Sequence, residues 1–218
     1  MAVLDGLPLE NHTGLAGRII VDDPDDDRSR YQVSQQQHGT AMASLVIHGD
    51  LNDDGPVLQQ QVYVRPIFVP DSFQGTTEIT PPDRLLADLL DRAVRRLFDG
   101  DGDQPPASPT VQIISLSLED RDQPFDLKAS PLARLIDWLA WKYKVLIIVS
   151  ISNRDLPVTL DSNWRNLSDD DLVSVALRVM QRERYQRRPL SPAEAINCFL
   201  LVRYTLTRAP LTRPAPGL

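Results

Sequence analysis

The chain has 218 residues, 42% of them hydrophobic, which is enough to bury one core and suggests one domain or a large part of one. Its 23 Lys and Arg stand against 30 Asp and Glu, and the net charge of −7 argues against a general nucleic-acid binder, which carries a basic surface. Cys198 is the single cysteine, so no intrachain disulfide exists, and no run reaches the ~18 apolar residues of a membrane span.

Ala2-Val3-Leu4 is a short apolar run that reads as a strand ending at Asp5. Neither a basic leader nor a small-residue cleavage site accompanies it, and with the lone thiol this favours a cytoplasmic setting. A domain rarely begins inside a core strand, so further sequence is expected upstream. Residues 16–21 read as a second strand. The run Asp22-Asp23-Pro24-Asp25-Asp26-Asp27 is expected to be a solvated loop, because so many like charges resist burial. Carboxylate oxygens would suit a calcium ion, but the run shows no recognisable ligand spacing.

His38 opens a helix whose small and apolar residues, from Thr40 onward, suit burial. Residues 61–69 contain a strand rich in branched and aromatic side chains. Pro81-Pro82 opens an amphipathic helix in which Leu85, Leu86, Leu89, Leu90, Val94 and Leu97 recur at three- and four-residue spacing. Residues 111–118 form another strand. Residues 131–143 form a helix with Leu132, Leu135, Ile136, Leu139 and Tyr143 on one face. Residues 145–149 have no polar alternation, as expected of a strand buried on both faces.

Ser168 caps a helix running to about residue 181. Ser191-Pro192-Ala193-Glu194 has the form of a capping box. Residues 198–218 read as a divergent, poorly ordered tail, although a strand could still form from residue 199. Strands alternating with helices predict an α/β fold, with a mostly parallel sheet flanked by helices. Trp138, Trp141 and Trp164 are expected to pack, Arg95-Arg96 and Arg187-Arg188 to line solvated helix faces, and Cys198 to be an inert thiol.

Three polar residues fall at the carboxyl ends of strands or the start of a helix: Asp5, Asn153 and His38. In open α/β sheets functional groups gather at such ends. An aspartate can orient an imidazole, the imidazole can move a proton to and from a nucleophile, and an amide can donate to an oxyanion. Spacing alone leaves this assembly weak beside the ordinary structural roles of such residues.

Four segments add to it. Ala2-Val3-Leu4-Asp5-Gly6 resembles the aspartate motif of the subtilisin-like (S8) serine peptidases, and His38-Gly39-Thr40-Ala41-Met42-Ala43-Ser44 resembles their His-Gly-Thr motif. Ile113-Ile114-Ser115-Leu116-Ser117-Leu118 resembles their substrate-binding strand, and Val149-Ser150-Ile151-Ser152-Asn153 resembles the segment carrying the oxyanion asparagine. The four occur in the family's order and cover residues 1 to 153. The resemblance implies a partial peptidase domain over residues 1–197, incomplete at both ends. It implies Asp5 as the orienting carboxylate, His38 as general base and Asn153 as oxyanion donor. Ser117 and Leu118 would pair their backbone with an extended polypeptide substrate, and Ser152 would border the first specificity pocket. No cofactor, nucleic acid or membrane is implied.

The departures are equally specific. The family's Gly-Thr-Ser nucleophile motif is absent: after Asn153 the serines are Ser162, Ser168, Ser174 and Ser191, and none follows Gly-Thr. Ser152 stands where the family has Gly, Glu119 follows Leu118 where Gly is usual, and Ser115 replaces Asn. The expectation is a serine endopeptidase domain that is inactive in this chain by itself. The rival readings are a catalytically dead peptide-binding or regulatory module and the product of an interrupted gene.

Overall fold

The structure, a computed structural model, describes residues 1–53, 55–73, 77–150, 158–160 and 163–201. In chain order the strands and helices are β1 (Ala2–Asp5), β2 (Ile19–Val21), α1 (Gln37–His48), β3 (Val62–Pro66), β4 (Val69–Pro70), β5 (Glu78–Ile79), α2 (Leu86–Phe98), β6 (Ile113–Leu116), β7 (Asp120–Pro124), α3 (Pro131–Tyr143), β8 (Leu146–Ser150), α4 (Asp169–Arg182), β9 (Leu190–Ser191) and β10 (Cys198–Leu201).

Six strands form one parallel sheet in the order β10-β8-β6-β1-β3-β2. Two short antiparallel pairs, β4 with β5 and β7 with β9, stand beside it. From β1 the chain moves to one side to build β3 and β2, then crosses back to β6 and continues outward to β8 and β10. The winding therefore reverses between β1 and β6. The crevice beyond the carboxyl ends at such a reversal is where α/β sheets bind ligands.

Side chains alternate between the faces of a strand. Ala2 and Leu4 of β1 enter the larger core, with Leu90, Val94 and Leu97 of α2 and Leu132, Ile136 and Leu139 of α3. Val3 enters the smaller core under α1, with Ala43, Ile47, Val62 and Val64. Asp5 follows Val3 by two residues and so falls on the α1 face. Helix α3 matches the expected range: the Ser130 hydroxyl accepts from Ala133 N at 3.0 Å, with proline in the first turn, and Lys144 ends it at φ 56°.

Several expectations change. Helix α2 begins at Leu86, because Pro81 to Arg84 close a turn first (Arg84 N to Pro81 O, 3.0 Å). Strand β8 is not buried on both faces: Ile147 and Val149 are covered by the larger core, whereas Leu146 is 41% exposed. Helix α1 packs on β1 and β3. Ser191-Pro192-Ala193-Glu194 caps no helix. Ser191 is held in β9, its hydroxyl lies 2.6 Å from that of Ser130, and Glu194 Oε1 accepts from Ser130 N at 3.0 Å. These residues brace the start of α3 instead. The strand allowed for from residue 199 does form: Cys198 to Leu201 pair in parallel with Ile147 to Ser150. Of the expected tail, residues 202–218 lie outside the described residues.

The acidic run is not a solvated loop. Asp22 takes Arg96 through two bonds of 2.5 and 2.9 Å, and Tyr63 donates to it at 2.5 Å. Asp25 takes Arg65 and Arg92, each at 3.1 Å, and Asp27, fully buried, takes Arg84 at 2.9 Å. Arginines from β3, α2 and the turn before α2 neutralise the run and pin it against the sheet. Arg96 is thus an ion-pair partner, while Arg95 stays exposed beside Asp91. Arg187 and Arg188 follow α4 instead of lining it, and reach Glu183 and Asp126. Trp138 and Trp141 are on the surface, each with a lysine ammonium over its ring. Cys198 is half-buried, and burial pushes its thiol up to about 11, so it is protonated and unreactive at neutral pH.

Among the described residues no helix is long and apolar enough to cross a membrane.

Candidate active site

Three consecutive residues of α1 each have a separate physical task. His38 presents its ring to Asp5: Nδ1 and Asp5 Oδ1 are 2.6 Å apart. Gly39 lets the helix touch the chain after β1; a Cβ there would lie 2.3 Å from Gly6 O. Thr40 donates its hydroxyl to Gln36 O at 2.5 Å and accepts from Leu9 N at 2.8 Å, tying that chain to the helix. The His-Gly-Thr sequence is therefore a docking device between α1 and the end of β1.

Asp5 is wholly excluded from solvent. Its Oδ1 also accepts from Gly6 N at 2.6 Å. The aspartate therefore aims one oxygen at the imidazole and fixes that oxygen by its own backbone. The His38 side chain is half-exposed, so the ring edge away from Asp5 can meet solvent or a ligand.

Sequence reasoning missed a third group. Glu78 Oε2 lies 3.5 Å from His38 Nδ1, and its side chain is 8% exposed. Glu78 is carried there by the β4–β5 pair and held by Tyr31, whose hydroxyl is 2.8 Å from Glu78 Oε1 and 2.9 Å from Phe68 O. Gly6 makes room for it, since a Cβ at Gly6 would lie 1.9 Å from Glu78 Oε1. Nothing local in the sequence marks Glu78, because a two-residue strand has no periodicity to read.

Electrostatics follow the packing. The bond to Asp5 raises the His38 pKa most, burial opposes it, and the charges of Asp5 and Glu78 add to the rise. Burial pushes Glu78 up to about 6, against the hydrogen bond from Tyr31. A histidine that binds its proton more tightly folded than unfolded stabilises the fold fully below its unfolded pKa of ~6.5, and that contribution is lost as pH rises through the folded value. Replacing Asp5 with asparagine should therefore move the His38 titration, followed by the ring proton signals in NMR, to lower pH. An unchanged His38 midpoint would show that the pair is not formed in solution.

Ser117 and Leu118 lie just past β6, beyond Leu116, where the ladder with β1 and β8 ends. Leu118 is buried in the larger core and Ser117 is half-buried, so the Leu118 side chain faces inward. Both residues stand at the carboxyl end of the strand next to β1, across the winding reversal from Asp5. Asn153 and Ser152 lie outside the described residues. His12 and His48 have structural roles: His12 Nδ1 accepts from Gly14 N at 3.2 Å, and His48 Nε2 lies 2.8 Å from Gly14 O.

No protein-family model matches this chain, and no curated protein matches it.

Proposed function

We propose that this chain carries the aspartate–histidine half of a subtilisin-like serine peptidase site, in a subtilisin-like arrangement of its parallel sheet. The observation that carries the reading is the Asp5–His38 hydrogen bond of 2.6 Å, made between the carboxyl end of β1 and the first turn of α1. With its Nδ1 proton donated to Asp5, His38 keeps the lone pair on Nε2. That atom can take a proton from a nucleophile and return it to a leaving amine, while Asp5 stabilises the imidazolium. Ser117 and Leu118, leaving the sheet beside this pair, are where an extended polypeptide would lie, as an added strand. By the resemblance, Asn153 would donate to the oxyanion and Ser152 would border the first specificity pocket.

The sequence holds no Gly-Thr-Ser. Without the nucleophile no acyl-enzyme forms, and in subtilisin binding with oxyanion stabilisation alone is worth ~10³–10⁴-fold over water. The chain by itself is therefore a base pair and a peptide cleft without turnover. The exit of residues 117–118 from the ladder also favours a second reading, a catalytically dead peptide-binding module.

Two measurements test this. A fluorophosphonate probe should label no serine of the purified chain, and a peptide amide should survive at the background rate. Stoichiometric labelling of any serine overturns the claim of a missing nucleophile. Extended peptides should shift the amide signals of Ser117 and Leu118 and the ring signals of His38. If those signals stay still at millimolar peptide, the cleft reading fails.

A further inference from the structure

We propose that Asp5, His38 and Glu78 together bind a divalent transition-metal ion of the zinc class. Each offers one ligand atom, and these atoms all lie within 4.8 Å of one another. They come from β1, α1 and β5, so the set is assembled only by folding. Zinc takes such mixed imidazole and carboxylate donors at roughly 2.0–2.2 Å and leaves a fourth position for water. Two tetrahedral ligands at that distance stand ~3.3 Å apart. His38 Nδ1 and Glu78 Oε2, at 3.5 Å, are already near this separation. His38 Nδ1 and Asp5 Oδ1 are 2.6 Å apart and share a proton; they must part by about 0.7 Å to meet the same zinc geometry. The His38 ring, half-exposed, is free to make that adjustment.

A second observation points to a cation. Asp5 Oδ2 is buried and has no hydrogen-bond partner. Buried polar atoms are nearly always paired, and an orphaned carboxylate oxygen is costly. Among the described residues no lysine or arginine forms an ion pair with Asp5 or Glu78; the buried guanidinium of Arg65 is paired with Asp25. Two carboxylates are thus gathered around one imidazole with no fixed cation. Calcium would want six to eight oxygens, which three side chains including an imidazole do not supply. One nitrogen and two carboxylates suit zinc.

On binding, the ion takes the Nδ1 lone pair: the Nδ1 proton leaves, Nε2 takes one up from solvent, and the ring stays neutral in its other tautomer. The ion and the Asp5–His38 hydrogen bond are therefore alternatives at one atom. The inference goes beyond the peptidase reading and does not rest on it, because a metal-loaded His38 is no longer oriented by Asp5.

The test is a zinc titration of the chelator-stripped chain against a chromophoric competitor, with the three histidine rings followed by NMR. One equivalent is expected, moving the His38 signals and raising Tm. Glu78→Gln keeps the shape and removes a ligand; it should weaken binding at least tenfold, whereas His12→Ala should bind as the unaltered chain does. No uptake, equal affinity in Glu78→Gln, or zinc that moves His12 or His48 in place of His38 overturns the proposal. Should Glu78→Gln fail to fold, the His38 response of the unaltered chain decides. The peptidase reading is tested separately, by the metal-free titration of His38 with and without Asp5→Asn.

Discussion

Replacing Gly39 with alanine should destabilise the protein by about 3 kcal/mol or prevent folding altogether. Helix propensity argues the other way, since alanine within a helix is favoured over glycine by ~1 kcal/mol. The contacts decide the sign. A Cβ at Gly39 would lie 2.3 Å from Gly6 O, 2.7 Å from Gly6 C and 2.8 Å from Leu7 C. All three are backbone atoms, which cannot swing aside as a side chain can. Helix α1 would have to lift off the end of β1, drawing His38 away from Asp5 and Thr40 away from Leu9 N. Urea unfolding measures the loss, and the His38 titration should return toward the ordinary histidine value. A Gly39→Ala chain at least as stable as the original would mean that α1 does not sit this close to β1.

Replacing Asp25 with alanine should cost about 3 kcal/mol, the lower end for breaking a buried ion pair. Arg65 is only 2% exposed, and Asp25 is its carboxylate partner at 3.1 Å. Removing the carboxylate strands a guanidinium that water cannot reach, and removes an anchor of Arg92 on α2. The double replacement Asp25→Ala with Arg65→Met should recover part of the loss, because it removes the buried charge together with its partner. Denaturation midpoints of the two single variants and the double variant close the cycle. If Asp25→Ala is within half a kcal/mol of the parent, the acidic run is solvated after all.

The same acidic run shows how far sequence patterns reach. Six residues with five aspartates read as a solvated loop, because an acidic segment taken alone cannot be buried. The cations that bury it come from Arg65, Arg84, Arg92 and Arg96, some 40 to 74 residues away along the chain. Local composition carries no information about partners at that distance. Likewise the unbroken apolar run of residues 145–149 specified a strand but could not specify how many helices would cover it.

What the sequence determined by itself was whatever depends on short-range order. Strand and helix alternation, the apolar stripe of α2, the Ser168 cap and the parallel α/β class all follow from periodicity and capping chemistry within a few residues. Asp5 and His38 were legible for a related reason: each sits at the end of an element, and each lies in a motif whose small residues serve the contact between them. The tertiary structure alone decided that Glu78 and Tyr31 join this pair, that the acidic run is pinned by arginines, and that Ser191 and Glu194 brace α3. These outcomes depend on which surfaces meet when the sheet winds in both directions from β1. That is set by the packing free energy of the whole core, and no window of neighbouring residues contains it.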